Sequence, residues 1–258
     1  MPHLTLGGHQ LFFEWRGPRD PGRETAVFLH DGLGCAGAWK AVPERIGAAA
    51  GVNAVVYDRW GYGQSEPREL FPFGFMEAEV PVLRELLDAL GLASAHLIGH
   101  SDGGSIAMLL AARWPERVSS LVTEAAHTFV ERETQDGIRA LIEAQRAGRT
   151  PGWLSRLHGE RSEALLLAWA GGWLSEAHAQ WCIEDWLGYI DAPTFVIQGE
   201  RDEFGTIKQV HAIVNRVVGA DAWIVPGCGH TPHTHAEDEF VARVSEFLSR
   251  NRKAPGVK

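Results

Sequence analysis

Two glycines flank one serine symmetrically in Gly99-His100-Ser101-Asp102-Gly103. This G-x-S-x-G follows a continuous apolar run at 95–98 and opens an alanine- and leucine-rich stretch at 103–114 that stops before Pro115. A strand that turns at once into a helix brings two backbones so close that a Cβ two residues from the apex would collide. The turn holds the serine hydroxyl out at the carboxyl end of the strand, where open α/β sheets place their ligands. The helix N-terminus beneath it favours developing negative charge.

The rest of the chain supplies the sheet that such a turn needs. Short apolar runs at 26–29, 53–57, 118–123, 194–197 and 222–225 read as strands, and the continuous ones as strands buried on both faces. An earlier strand at 11–15 pairs with 4–6 through Gly7-Gly8. Helical spacing at 76–90 (Val82, Leu83, Leu86, Leu87, Leu90) ends at Gly91, a favoured residue just past a helix. Further helices are expected at 206–218 and 237–249, and the tail 251–258 is polar. Alternating strands and helices give an α/β fold with a mostly parallel central sheet flanked by helices. Residues 127–188 break the alternation: they look helical and carry Trp153, Trp169, Trp173, Trp181 and Trp186. The expected organisation is one core domain, 1–126 and 189–258, with a helical cap at 127–188. A length of 258 residues suits one core with an insertion.

Composition excludes several classes. A net charge of −9 argues against a sequence-independent nucleic-acid surface, which needs a basic face. No apolar run reaches the roughly 18 residues of a membrane span. The N-terminal stretch has neither the basic nor the apolar region of a signal peptide. Cys35, Cys182 and Cys228 form no C-x-x-C, which points to reduced thiols and a cytoplasmic setting. The expected partner is a small-molecule substrate, without nucleic acid or membrane.

A serine hydroxyl is a weak nucleophile and requires a base within hydrogen-bonding reach. His230, in Gly227-Cys228-Gly229-His230, is the first histidine after the last strand and so the nearest to the sheet edge. His233 and His235 are its rivals, read otherwise as solvated loop histidines. A zinc site at His230, His233 and His235 lacks the H-E-x-x-H or cysteine pair that would support it. The base in turn needs a carboxylate to fix its tautomer. Asp202, in Gly199-Glu200-Arg201-Asp202, follows the strand at 194–197, with Glu200 and, more weakly, Glu124 as alternatives. Backbone N–H groups of Asp102 and Leu33 are the expected oxyanion donors, Gly32 being the alternative to Leu33. No G-x-G-x-x-G or Walker lysine opens a helix, so no cofactor or metal is implied.

The segments HDGLG at 30–34, DRWGYGQS at 58–65, GHSDGG at 99–104, GERD at 199–202 and GCGH at 227–230 together resemble the α/β-hydrolase superfamily over essentially the whole chain. The resemblance implies that Ser101 is the nucleophile, His230 the base and Asp202 its partner, with Asp102 and Leu33 as oxyanion donors. It implies that Asp58 and Arg59 brace active-site loops and that 127–188 is a lid. Two positions depart from the pattern: Asp31 stands where a glycine is common, and Asp102 replaces a larger apolar residue. The expected activity is a serine hydrolase acting on a small carboxylic ester. Carbon–carbon bond hydrolysis of a diketone is the alternative, and a slow-turnover ligand-binding receptor is the alternative from another class. Haloalkane dehalogenation would need an aspartate at position 101.

Overall fold

A computed structural model describes residues 2–252, so most of the tail read as polar lies outside the described residues. Eight strands form one sheet: β1 (His3–Leu6), β2 (His9–Arg16), β3 (Thr25–Leu29), β4 (Asn53–Tyr57), β5 (Ala95–His100), β6 (Val118–Glu124), β7 (Thr194–Gly199) and β8 (Asp221–Val225). Their spatial order is β1-β2-β4-β3-β5-β6-β7-β8. The β1–β2 and β2–β4 pairs are antiparallel and all others parallel. From β3 the chain goes outward to β4, then crosses back over β3 to β5. That reversal opens a crevice at the carboxyl ends of β3 and β5, where the HDGLG loop and Ser101 stand.

The parallel strands β3, β4 and β5 are buried along their whole length, as their unbroken apolar runs require. Successive side chains serve opposite layers. Phe28, Val56 and Ile98 pack with α1 (Val42–Ala50) and, towards the chain end, α10 (Glu237–Arg250). Val27, Val55 and Leu97 face α2 (Phe75–Ala89), α3 (Asp102–Arg113) and α8 (Ile207–Val214). Helix α1 went unread in the sequence. Its buried face is Val42, Pro43, Ile46, Gly47 and Ala50, and at nine residues, with a proline and a glycine on that face, it is too short for its spacing to stand out.

Between β6 and β7 lie α4 (Arg132–Arg146), α5 (Gly152–His158), α6 (Ser162–Trp173) and the short α7 (Glu184–Leu187). The two ends of this helical stretch are tied by an antiparallel bridge between Phe129 and Cys182 and by Ile183 N–H donating to Thr128 O at 2.7 Å. Trp169, Trp173 and Trp181 are buried, whereas Trp153 and Trp186 are exposed. After β8 comes the one-turn α9 (Pro232–His235).

The turn after β5 is as tight as its glycines imply. A Cβ on Gly99 would lie 2.4 Å from Gly103 O, and one on Gly103 would lie 2.3 Å from Leu29 O. Both obstacles are backbone and cannot swing aside. Gly99→Ala and Gly103→Ala should each cost about 3 kcal/mol or more of folding stability in urea denaturation. Gly171→Ala, on α6 with open space around its Cβ, should instead gain about 0.5–1 kcal/mol.

Candidate active site

Loops from five strands meet at the carboxyl edge of the sheet. Ser101 crosses the turn with φ 52° and ψ −122°, a region in which a non-glycine residue costs on the order of 1–3 kcal/mol. The conformation is held from both sides. Ser101 N–H donates to Glu124 O on β6 at 2.8 Å, and Gly104 N–H donates to Ser101 O at 2.8 Å. Ser101 is 5% exposed and lines a cavity of about 720 Å³ together with His230. Its hydroxyl has no side-chain hydrogen bond among the described residues, and such contacts commonly tighten only when substrate binds.

His230 Nδ1 is bonded to both carboxylate oxygens of Asp202, at 2.8 and 2.9 Å. Because the carboxylate accepts there, Nδ1 carries the proton and Nε2 is free to accept one. Asp202 is itself fixed by the N–H of Phe204 at 2.8 Å and the Gln198 amide at 2.6 Å. Burial would raise its carboxyl, but His230 and the Phe204 N–H hold it below the usual carboxylate range. The structure thus joins Asp202 to His230 and places Ser101 on the wall that His230 also lines.

The rival residues go elsewhere. Glu200 is an exposed loop carboxylate that accepts from Gly227 N–H at 2.7 Å. Glu124 is fully buried and pairs with His233, whose N–H and Nδ1 reach it at 2.6 and 2.9 Å. His233 is therefore not the solvated loop residue expected: its own α9 turn carries it under the sheet edge, where Glu124 neutralises the cost of burying it. His235 is exposed, as expected. His100, Glu124 and His233 are close enough together to suggest metal ligands. The 2.6–2.9 Å bonds from His233 to Glu124 already occupy that carboxylate.

His100 is a residue the sequence reading passed over, although it lies inside the motif. Its Nε2 donates to His230 O at 2.8 Å, and its Nδ1 faces Asp31 Oδ1 at 3.7 Å. Burial opposes its cation, but Glu124, Asp31 and the His230 carbonyl outweigh it and raise His100 to about 9. His127, just past β6, was also missed. It stacks near His230, with ring centroids 6.1 Å apart, and packs edge-on to Trp173 at 5.2 Å. Burial and the neighbouring His230 push it down to about 3, so it stays neutral in the cavity wall. The rule that ligands gather at strand carboxyl ends would have found it.

The expected oxyanion donors are placed differently from each other. Asp102 is the first residue of α3, so its N–H lacks an intrahelical acceptor. Leu33 N–H points at its neighbour Asp31 Oδ2 at a long 3.4 Å, a contact that an incoming oxyanion would have to displace. The Asp102 carboxylate is turned away from the cavity. It is fully buried and accepts from the Trp169 indole N–H at 3.0 Å. Burial pushes this carboxyl up, with Arg59 opposing. Trp169 also presses on the HDGLG loop, for a Cβ on Gly32 would lie 2.4 Å from its Nε1. One indole of α6 thus touches both loops that flank Ser101.

Asp58 and Arg59 do brace the loops. Asp58 accepts from Ala36 N–H at 2.6 Å and Gln64 N–H at 2.7 Å. Arg59, fully buried, donates through Nη2 to Asp31 O at 2.7 Å and His30 O at 3.2 Å.

A sequence model described as the alpha/beta hydrolase fold matches residues 26–181. The human protein named serine hydrolase BPHL is 28% identical over 256 residues, covering 95% of this chain and 85% of that one. A Klebsiella pneumoniae protein named 2-hydroxy-6-oxononadienedioate/2-hydroxy-6-oxononatrienedioate hydrolase is 27% identical over 258 residues, covering 89% of this chain and 88% of its own. In structure, the alpha/beta hydrolase enzyme MGS-M2 from a Medee basin deep-sea metagenome superposes with a TM-score of 0.78 at 21% identity, covering 98% of this chain and 99% of that one. Among the described residues no helix is long and apolar enough to cross a membrane.

Two measurements test the side-chain network. Trp169→Phe keeps an aromatic side chain but removes the indole N–H that the buried Asp102 carboxylate accepts, and should cost about 1–3 kcal/mol in urea denaturation; a loss below about 0.5 kcal/mol would remove the indole–carboxylate bond from the account. A histidine whose cation the fold favours contributes stability that is complete below its unfolded value, 6.5, and is lost as pH rises through about 9. The denaturation midpoint should therefore fall across that window, and His100→Gln, which can still donate to His230 O, should flatten the fall.

Proposed function

The chain belongs to the α/β-hydrolase family, and from that premise we propose that it is a serine hydrolase that cleaves a small carboxylic ester through an acyl-enzyme on Ser101. The observation that carries the reading is the two-oxygen grip of Asp202 on His230 Nδ1, beside a serine held in a strained turn on the same cavity. His230 Nε2 takes the hydroxyl proton as Ser101 Oγ adds to the carbonyl carbon. The tetrahedral oxyanion is met by Asp102 N–H and, once it leaves Asp31, by Leu33 N–H, each worth on the order of a few kcal/mol in the transition state. The carbon–oxygen bond of the ester then breaks, and His230 returns the proton to the leaving alkoxide. A water deprotonated by the same histidine adds to the acyl carbon, the bond from that carbon to Ser101 Oγ breaks, and His230 returns the proton to Oγ as the acid leaves.

The helical stretch 127–188 acts in this reading as a cap. Trp169, Trp173 and Ile138 from it line the cavity and give the acyl or alcohol part an apolar seat. Hydrolysis of a carbon–carbon bond in a diketone is a second reading, favoured by the name of the Klebsiella relative; the same serine, base and oxyanion donors would serve it. No cofactor enters either scheme, and the partner is a small molecule in both.

Turnover of short-chain p-nitrophenyl esters tests the ester reading. Ser101→Ala should abolish it, and Asp202→Asn should lower kcat by about 10⁴-fold with the fold intact by circular dichroism. Cleavage of a vinylogous diketone by an enzyme inert towards every ester would transfer the assignment to carbon–carbon hydrolysis. Undiminished turnover in Ser101→Ala would overturn both.

A further inference from the structure

The cavity wall is polarised. Its carboxylates are Asp31 and Glu203, and its lysine and arginine are Lys40 and Arg156. Both carboxylates are engaged: Asp31 with His100 and Leu33 N–H, and Glu203 with His230 N–H at 3.2 Å. Lys40 and Arg156 are exposed and have no ion pair among the described residues. They belong to neighbouring segments. Lys40 N–H closes its turn on Gly37 O at 3.3 Å, and a Cβ on Gly37 would touch Leu157 Cδ2 at 4.0 Å, next to Arg156 on α5. Glu203 belongs to a different part of the lining, with its carbonyl against Gly137 of α4 and its carboxylate on His230 N–H. Ser101 is buried whereas Lys40 and Arg156 are exposed, so the cations line the solvent end of a cavity whose wall also carries the apolar Trp153, Leu157, Ile138 and Leu141.

Lys40 is also, with Ser101 and Ala125, one of the non-glycine residues at positive φ among the described residues. Its φ of 50° and ψ of −126° nearly repeat those of Ser101, in a region that side-chain-bearing residues rarely adopt. Strain of this kind persists where the surrounding structure over-determines it, and it gathers at functional sites. Two exposed cations without an ion pair among the described residues, on one cavity lining in a chain of net charge −9, make a local field opposite to that of the whole molecule. Such a field draws anions.

We infer that the substrate carries a carboxylate at the end remote from the scissile carbonyl, and that Lys40 and Arg156 bind it. The inference rests on the serine-hydrolase reading for the position of the carbonyl, while the anion site stands on the rim geometry. The substrate class is then an ester with an apolar middle and an anionic tail, lying with its tail away from Glu203.

Two measurements together test this. Mono-p-nitrophenyl adipate and p-nitrophenyl hexanoate share a chain length and differ in the terminal carboxylate. At low salt wild type should prefer the adipate ester in kcat/KM by about tenfold, and the preference should shrink towards unity in about 0.5 M NaCl. In Lys40→Met/Arg156→Met the ratio should fall by about tenfold, and Lys40→Arg should preserve it. Binding read by calorimetry is independent of turnover: 6-oxoheptanoate, a ketone without a leaving group, should bind more tightly than 2-heptanone to wild type, and this difference should vanish in the double variant. A ratio at or below unity, a ratio indifferent to the double substitution, or equal binding of the two ketones would overturn the inference. Failure to turn over either ester, with the ketone difference intact, would instead strike the ester chemistry and leave the anion site standing.

Discussion

Everything at the sheet edge depends on how closely β5 and α3 approach at Ser101. Gly99 lies against the backbone of Gly103, and Gly103 against the carbonyl of Leu29 at the end of β3. The second contact matters as much as the first. It fixes the distance between the turn at Ser101 and the loop that begins at His30, so the two expected oxyanion donors are set by one packing event. Arg59 beneath and Trp169 above then clamp the same loop. A serine in a rare backbone conformation survives there because neighbours on both sides of the turn hold its peptide groups.

Charge at the site is arranged around one imidazole. Asp202 holds the proton of His230 on Nδ1, His100 anchors its carbonyl, and His127 stays neutral beside it. Behind this lies a second histidine–carboxylate pair, His233 with Glu124. Each pair joins an imidazole to a buried carboxylate; in the second, both the N–H and Nδ1 of His233 bond Glu124, which stiffens the α9 turn that follows the loop of His230. Asp31 completes the arrangement by giving His100 its counter-charge.

Much of this was legible in the sequence. The unbroken apolar runs marked the buried parallel strands, and the glycines around Ser101 announced the turn because their reason is local and steric. Asp202 and His230 could be chosen because each follows a strand at the expected edge. What stayed hidden was long-range. Helix α1 spans only nine residues and carries Pro43 and Gly47 on its buried face, so its spacing did not mark it as a helix. The fate of His233 turned on Glu124, more than one hundred residues away in the chain, and no spacing rule carries that information. The role of Trp169 likewise depends on where α6 lies over the sheet, which its own apolar pattern does not encode. The contact of Leu33 N–H with the Asp31 carboxylate likewise depends on how the loop folds back on itself, which the residue types alone do not give.

The account stands or falls on whether Ser101 is activated by the imidazole that Asp202 orients. Intact-protein and peptide mass spectrometry after exposure to a fluorophosphonate addresses this most directly. The account predicts a single phosphonyl adduct on the peptide containing Ser101, formed quickly in wild type and slowly in His230→Gln. Adduct formation at the same rate in His230→Gln, or an adduct confined to another residue, would contradict it.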